Sequence, residues 1–105
     1  MRARLIFKKK ELYPDGSLTE IRIWQVGKSK TFPLGIKYAF YFIGPGPSRE
    51  ILVGYDNHHG KGDHRHFQGV ESPVTASSVS ELLQRFRREV SEHLQKQGIK
   101  MKEEV

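Results

Sequence analysis

The chain has 105 residues, a formal net charge of +6 and no cysteine. This length fits one compact domain, and the lack of cysteine excludes disulfides, thiolate zinc sites and a cysteine nucleophile. No apolar run approaches the ~18 residues of a membrane span, and the basic N-terminus lacks the ~7–15 apolar residues of a signal peptide. We therefore expect a cytoplasmic protein with no membrane contact, whose positive charge attracts nucleic acid or an acidic protein.

The first half of the sequence has the period-two alternation of β-strands. Residues 2–12 and 18–26 alternate apolar with polar side chains, and the Pro-Asp-Gly sequence within 13–17 is typical of a turn, so these runs predict a hairpin. The aromatic run 36–43 predicts the central strand, and residues 50–55 predict a fourth strand. Short connections favour antiparallel pairing, because a parallel pair needs a crossover of about a dozen residues.

Residues 78–97 predict one amphipathic helix. Ser78 and Glu81 have the spacing of a capping box. Gly98 follows the last apolar residues, at the position just after a helix C-terminus where glycine is common. The apolar residues fall on one stripe at helical spacing: Val79, Leu82, Leu83, Phe86, Val90 and Leu94. The sequence therefore predicts a single α+β domain over 1–105, with a four-stranded, mainly antiparallel β-sheet (a ββββ meander) and one C-terminal helix packed on one face.

Residues 55–69 predict a histidine-rich functional loop, since four of the five histidines of the chain lie there. Imidazoles, carboxylates, two cations and bend-permitting glycines follow one another closely in the run Tyr55-Asp56-Asn57-His58-His59-Gly60-Lys61-Gly62-Asp63-His64-Arg65-His66. Imidazole titrates near neutral pH and serves as a general acid, a general base or a metal ligand. This segment is therefore the candidate site.

The motif Tyr-Asp-Asn-x-His-Gly-Lys-Gly-Asp-His-x-His, following a strand in a small basic protein, resembles the TumE-like toxins of prokaryotic toxin–antitoxin systems. The matching residues are Tyr55, Asp56, Asn57, His59, Gly60, Lys61, Gly62, Asp63, His64 and His66. The preceding strands and the following helix agree in layout alone. The resemblance implies a toxin that is neutralised by a helix-turn-helix DNA-binding antitoxin encoded nearby, with RNA as its substrate.

The first interpretation of the loop is a metal-independent endoribonuclease that needs no cofactor. Cleavage of RNA through its 2′-hydroxyl requires a base for that proton and an acid for the leaving 5′-oxygen. The acid–base candidates are His64, His66 and His59. Asp56 or Asp63 would orient an imidazole by accepting its second N–H.

The same segment supplies the predicted substrate contacts: Arg65, Lys61, Tyr55, Asn57 and His58. The two cations are the natural ligands of a phosphate. If residues 64–66 are extended, His64 and His66 lie on one side and Arg65 points away from them.

Two alternatives use the same residues. In the first, His64 and His66 with Asp56 or Asp63 hold Zn²⁺, Mn²⁺ or Ni²⁺ for a metal-dependent nuclease. In the second, the basic domain is a non-enzymatic module that binds nucleic acid or a partner, with Tyr41 as the exposed ring of the aromatic strand. The oligomeric state stays open.

Overall fold

The computed structural model describes residues 3–58, 62–76 and 78–99. The elements are β1 (Arg4–Leu12), β2 (Leu18–Gln25), β3 (Ile36–Ile43), β4 (Ile51–Asp56), β5 (His64–Phe67), β6 (Val70–Pro73) and α1 (Val79–Lys96). The strands form one antiparallel sheet whose spatial order is the order of the chain. Each strand thus pairs with its successor through a short connection, as an antiparallel meander requires.

The predicted number of four strands is wrong, because the sheet has six. The additional strands are β5, which lies inside the predicted loop 55–69, and β6, which follows it. Gln68 and Gly69 join the two with φ of 48° and 84°, the positive values of the tight turn whose twist matches that of paired strands. The α+β class, the antiparallel pairing and the C-terminal helix are confirmed, but His64 and His66 lie on a strand.

The hydrophobic core lies between α1 and the middle of the sheet. Tyr38, Phe40 and Phe42 of β3 are fully buried, and α1 contacts β3 and β4. The helix contributes its buried stripe to this core: Leu82, Phe86, Val90 and Leu94. Every second residue of the aromatic strand therefore faces the helix, as its alternation predicts.

The helix covers less of the sheet than its apolar stripe suggests. The Phe7 side chain of β1 is 41% exposed, because α1 packs on β3 and β4 and leaves β1 uncovered. Val79 and Leu83 are only partly buried at the margin of the core. The helix therefore packs mainly on two strands in the middle of the sheet.

Both ends of α1 are capped as the sequence predicts. The Ser78 hydroxyl accepts the backbone N–H of Glu81 at 3.1 Å, which satisfies one of the orphan donors of the first turn. At the other end Gly98 has φ of 70° and donates to the Gln95 carbonyl, while Ile99 donates to Leu94. This is a Schellman motif. Within the described part of the chain, no helix is both long and apolar enough to cross a membrane.

Replacing Phe86 tests this packing. Phe86 is 1% exposed, and its ring centroid lies 5.9 Å from that of Phe40 and 6.4 Å from that of Tyr55. We expect Phe86→Ala to lower the free energy of unfolding by ~3–5 kcal/mol, because a buried ring is replaced by a cavity. Urea unfolding followed by circular dichroism measures this. The control is Gln84→Ala on the exposed side of the same helix, for which a change within about 0.5 kcal/mol is expected.

Candidate functional site

The hairpin formed by β4 and β5 presents different side chains on its two faces. Asp56 pairs with His64, Tyr55 with Arg65 and Gly54 with His66. Because successive side chains of a strand point to opposite faces, Tyr55 and Arg65 face the helix. Asp56, His64 and His66 point to the uncovered side of the sheet, which we call the open face. Their neighbours Ala39 and Tyr41 of β3 lie on the same face.

Asp56 is the centre of a hydrogen-bond network on the open face. Its Oδ2 lies 3.0 Å from His66 Nε2 and accepts the phenolic O–H of Tyr41 at 2.5 Å. Asp56 is 7% exposed, and a carboxylate so poorly hydrated depends on such donors. A carboxylate only accepts hydrogen bonds, so Nε2 of His66 carries a hydrogen and Nδ1 holds the lone pair of the neutral ring.

Gly54 makes room for this network. It lies between Tyr41 and His66 in the row across β3, β4 and β5. A Cβ at this position would come within 2.8 Å of Tyr41 Cδ1, closer than van der Waals contact. With glycine there, the Tyr41 ring lies across the backbone of β4, and its centroid is 6.2 Å from that of His66.

His64 has a carboxylate neighbour of its own. Its Nδ1 lies 3.3 Å from Oε1 of Glu71, and the two side chains are 15% and 57% exposed. Glu71 belongs to β6 and pairs with His66 across the ladder. His64 and His66 are two residues apart on one face of a strand, so their Cα atoms are ~7 Å apart, and each imidazole lies beside a carboxylate.

The cation Arg22 extends the open face beyond Asp56. Arg22 pairs with Ala39, which in turn pairs with Asp56. The Nε of Arg22 is shielded from solvent and has no hydrogen-bond partner among the described residues, while its Nη2 lies 2.6 Å from Glu20.

Trp24 follows Arg22 by two residues on β2 and therefore lies on the same open face. The ring centroid of His58 is 6.0 Å away from that of Trp24, and Lys37 Nζ lies 5.5 Å from the indole ring. Of the predicted substrate contacts, His58 is thus on the side of the sheet that carries the two histidines of β5.

The helix face of the hairpin carries a separate network. Arg65 pairs with Glu89 of α1, and Glu89 also accepts the phenolic O–H of Tyr55. Burial and the hydrogen bond to Glu89 raise the pKa of Tyr55, and the hydrogen bond to Glu89 raises that of Arg65. Tyr55 and Arg65 therefore join the hairpin to the helix, and the structure does not bring Arg65 to the histidines.

Asn57 and Asp63 also make contacts within the fold. The amide of Asn57 accepts the N–H of Tyr38 at 2.9 Å and donates to the Ile36 carbonyl at 2.8 Å, which extends the ladder beyond β4. Asp63 accepts the phenolic O–H of Tyr38 at 2.5 Å. Burial and this hydrogen bond raise the pKa of Tyr38.

The predicted metal ligands are divided by the sheet. Asp63 binds Tyr38, whose ring is in the core below the helix, whereas Asp56, His64 and His66 are on the open face. In the parts of the chain that the structure describes, no three His, Asp or Glu side chains are grouped so as to hold a metal ion. His59 and Lys61 lie outside the described residues, so their predicted roles stay predictions.

Sequence reasoning assigned no site role to several residues that lie around the predicted ones: Gly54, Glu71, Arg22 and Glu89. Tyr41 was expected as an exposed ring, but its hydroxyl is bonded to Asp56. The weak Gln-Gly turn signal at 68–69 was the one local clue to β6 and hence to Glu71. Gly54 lies next to His66 through strand register, and Glu89 meets Arg65 through helix packing.

Comparison with known proteins identifies the class of this chain. It is a toxin of a toxin–antitoxin system, and an antitoxin is therefore its partner. The family model described as Toxin TumE matches residues 2–94, and the chain belongs to the TumE toxin family. This confirms the family that the motif indicated. No curated protein and no solved structure matches the sequence.

The Tyr41–Asp56 contact predicts a dependence of stability on alkaline pH. Burial, the hydrogen bond to Asp56 and the Asp56 charge raise the pKa of Tyr41 above its ordinary value. The folded state therefore keeps a proton that the unfolded state loses above pH ~10, so the stability from this contact is complete below that pH and is lost above it.

Tyr41→Phe should be less stable than wild type at pH 7, because it loses a hydrogen bond to a carboxylate. The gap in the free energy of unfolding should narrow as the pH rises above 10. Urea unfolding at pH values between 7 and 11.5 measures the gap. A gap that stays constant over this range would contradict the assignment.

Proposed function

We propose that this toxin cleaves RNA on the open face of its sheet, with His66 as general base and His64 as general acid. The observation that carries the proposal is the contact of His66 with the poorly exposed Asp56, beside a second imidazole on the same face of β5. A histidine oriented by a carboxylate is a recurrent arrangement for proton transfer.

His66 is assigned as the base because of its tautomer. Asp56 holds the hydrogen on Nε2, so Nδ1 is the nitrogen that takes the proton of the 2′-hydroxyl. The 2′-oxygen then attacks the adjacent phosphorus. Asp56 stabilises the imidazolium that results, and Tyr41 fixes the carboxylate by donating to the same oxygen.

His64 is assigned as the acid. Glu71 lies beside its Nδ1, so we assign Nε2–H as the group that donates the proton. Donation to the 5′-oxygen completes the displacement, in which the P–O5′ bond breaks. The products are a 2′,3′-cyclic phosphate and a free 5′-hydroxyl. The 2′-hydroxyl is the nucleophile, so DNA is not a substrate for this reaction.

Arg22 and Lys37 are the cations that we propose for the RNA backbone. Both belong to the open face, whereas Arg65 is paired with Glu89 on the helix side. Trp24 beside Lys37 offers a ring on which a nucleobase of single-stranded RNA can stack. The expected path of the strand thus runs from Trp24 past Arg22 to the histidines.

Cleavage of labelled single-stranded RNA in the presence of EDTA tests the proposal. Wild type should cut, and His66→Ala, His64→Ala and Asp56→Asn should each lose activity, the histidine variants by ~10²–10⁴-fold. The control is His93→Gln, since His93 lies on the helix, where its ring contacts Phe42 below the other face of the sheet. Its rate should equal that of wild type. One neutral and one protonated imidazole also require a bell-shaped dependence of the rate on pH.

A substrate with sulfur in place of the bridging 5′-oxygen separates the two roles. A thiolate leaves without protonation, so this substrate needs a base but no acid. His64→Ala should recover most of the wild-type rate on it, and His66→Ala should not. The opposite pattern would exchange the two assignments.

Two outcomes would overturn the proposal. Activity that EDTA abolishes and Mn²⁺ or Zn²⁺ restores would favour the metal-dependent nuclease. RNA that binds without being cut under either condition would favour the non-enzymatic binding module.

A further inference from the structure

β1 is an edge strand with an unusual surface. It is nine residues long and pairs with β2 on one side only. Leu5, Ile6 and Leu12 are 47%, 48% and 73% exposed, and residues 8–10 between them are consecutive lysines. Long, apolar edge strands are sites where another chain can pair.

The register of the β1–β2 hairpin identifies the backbone groups that point outward. Tyr13 donates its N–H across the turn to the Ser17 carbonyl. In an antiparallel pair, residues alternate between bonding to the partner strand and pointing away from it. Counting back from Tyr13, Glu11 and Lys9 bond to β2, so Lys8 and Lys10 direct their N–H and C=O groups to the free edge, as does Leu12.

The regular part of this edge begins after a bulge. The register shifts between Leu5 and Phe7, and from Phe7 to Leu12 the pairing with β2 is continuous. Lys8, Lys10 and Leu12 share the face of the sheet that Glu20 and Arg22 occupy, because they pair with Arg22, Glu20 and Leu18. The edge therefore combines free ladder groups, two lysines at alternate positions and an exposed leucine.

We propose that the antitoxin docks here by adding an extended segment to the outer edge of β1. The segment carries acidic side chains two residues apart, opposite Lys8 and Lys10, and an apolar side chain beside Leu12. Main-chain hydrogen bonds supply affinity, and the alternate side chains supply specificity. This inference rests on the family membership of the chain and does not depend on RNA cleavage.

The charges favour this occupant over a second copy of the toxin. Pairing two β1 strands antiparallel would place the two lysine runs against each other, and like charges opposite one another destabilise a sheet. An RNA strand satisfies lysines but has neither a matching ladder of N–H and C=O groups nor a use for the exposed leucine. An acidic peptide segment satisfies all three features of the edge.

Amide hydrogen exchange measured by NMR tests the docking residue by residue. In the free toxin, the amides of Lys8, Lys10 and Leu12 should exchange fast, while those of Lys9 and Glu11 are protected by β2. Adding the purified antitoxin from the same operon should protect the first three and leave the other two unchanged. Fast exchange of Lys8 and Lys10 in the saturated complex would overturn the proposal, as would the same protection produced by single-stranded RNA or by raising the toxin concentration alone.

A proline substitution provides a second test. Lys10→Pro removes an outward N–H, which costs β1 no bond to β2, whereas Lys10→Ala removes the same charge and keeps the N–H. We expect Lys10→Pro to bind the antitoxin about tenfold or more weakly than Lys10→Ala by calorimetry. Equal affinity of the two variants would overturn edge pairing. Unfolding midpoints check that both variants are folded. If Lys10→Pro is unfolded, Lys8→Pro and Lys8→Ala are compared in the same way.

RNA cleavage by the same variants keeps the two hypotheses apart. Lys10→Pro should cut RNA at the wild-type rate when no antitoxin is present and should resist inhibition when antitoxin is added. If wild type does not cut RNA, the calorimetry and hydrogen exchange still decide the docking site.

Discussion

The alternation of side chains along the β4–β5 hairpin is the constraint on which the rest of this structure depends. Tyr55 and Arg65 face α1 and are tied to Glu89, while Asp56 and His66 face the other way and bind each other. A slip of one residue in this register would exchange the two sets. The hairpin thus separates residues that join the sheet to the helix from residues on the open face, although both sets come from one short motif.

The fold was predictable where a signal was local. The stripe and caps of α1, the turn at 13–17 and the aromatic strand at 36–43 each depend on near neighbours in the chain, and all are found. β5 and β6 were missed, because His64–Phe67 has the composition of a polar loop and Gln68–Gly69 is a weaker hairpin signal than Asn-Gly. The partial burial of β5 comes from its neighbours rather than from its own apolar content.

The candidate site was predictable in part for the same reason. The motif identified Asp56, His64 and His66, and the alternation of an extended segment indicated that Arg65 points away from the histidines. Their partners Tyr41 and Glu71 reach them from β3 and β6, through a register that no local pattern specifies. Asp63 belongs to the same motif but bonds to Tyr38 in the core, so composition alone does not show which residues of the motif support the fold.

The order of the strands has a kinetic consequence. Every strand pairs with its neighbour in sequence, so the sheet zips through short loop closures, which cost little entropy and favour fast folding. The docking of α1 is the long-range step, because Phe86 must contact Phe40 of β3, and β4, β5 and β6 lie between these two residues in the sequence. The contacts around Asp56 lie wholly within β3, β4 and β5. The network around Asp56 is therefore built from contacts between neighbouring strands, whereas closing the core needs the longer-range docking of the helix.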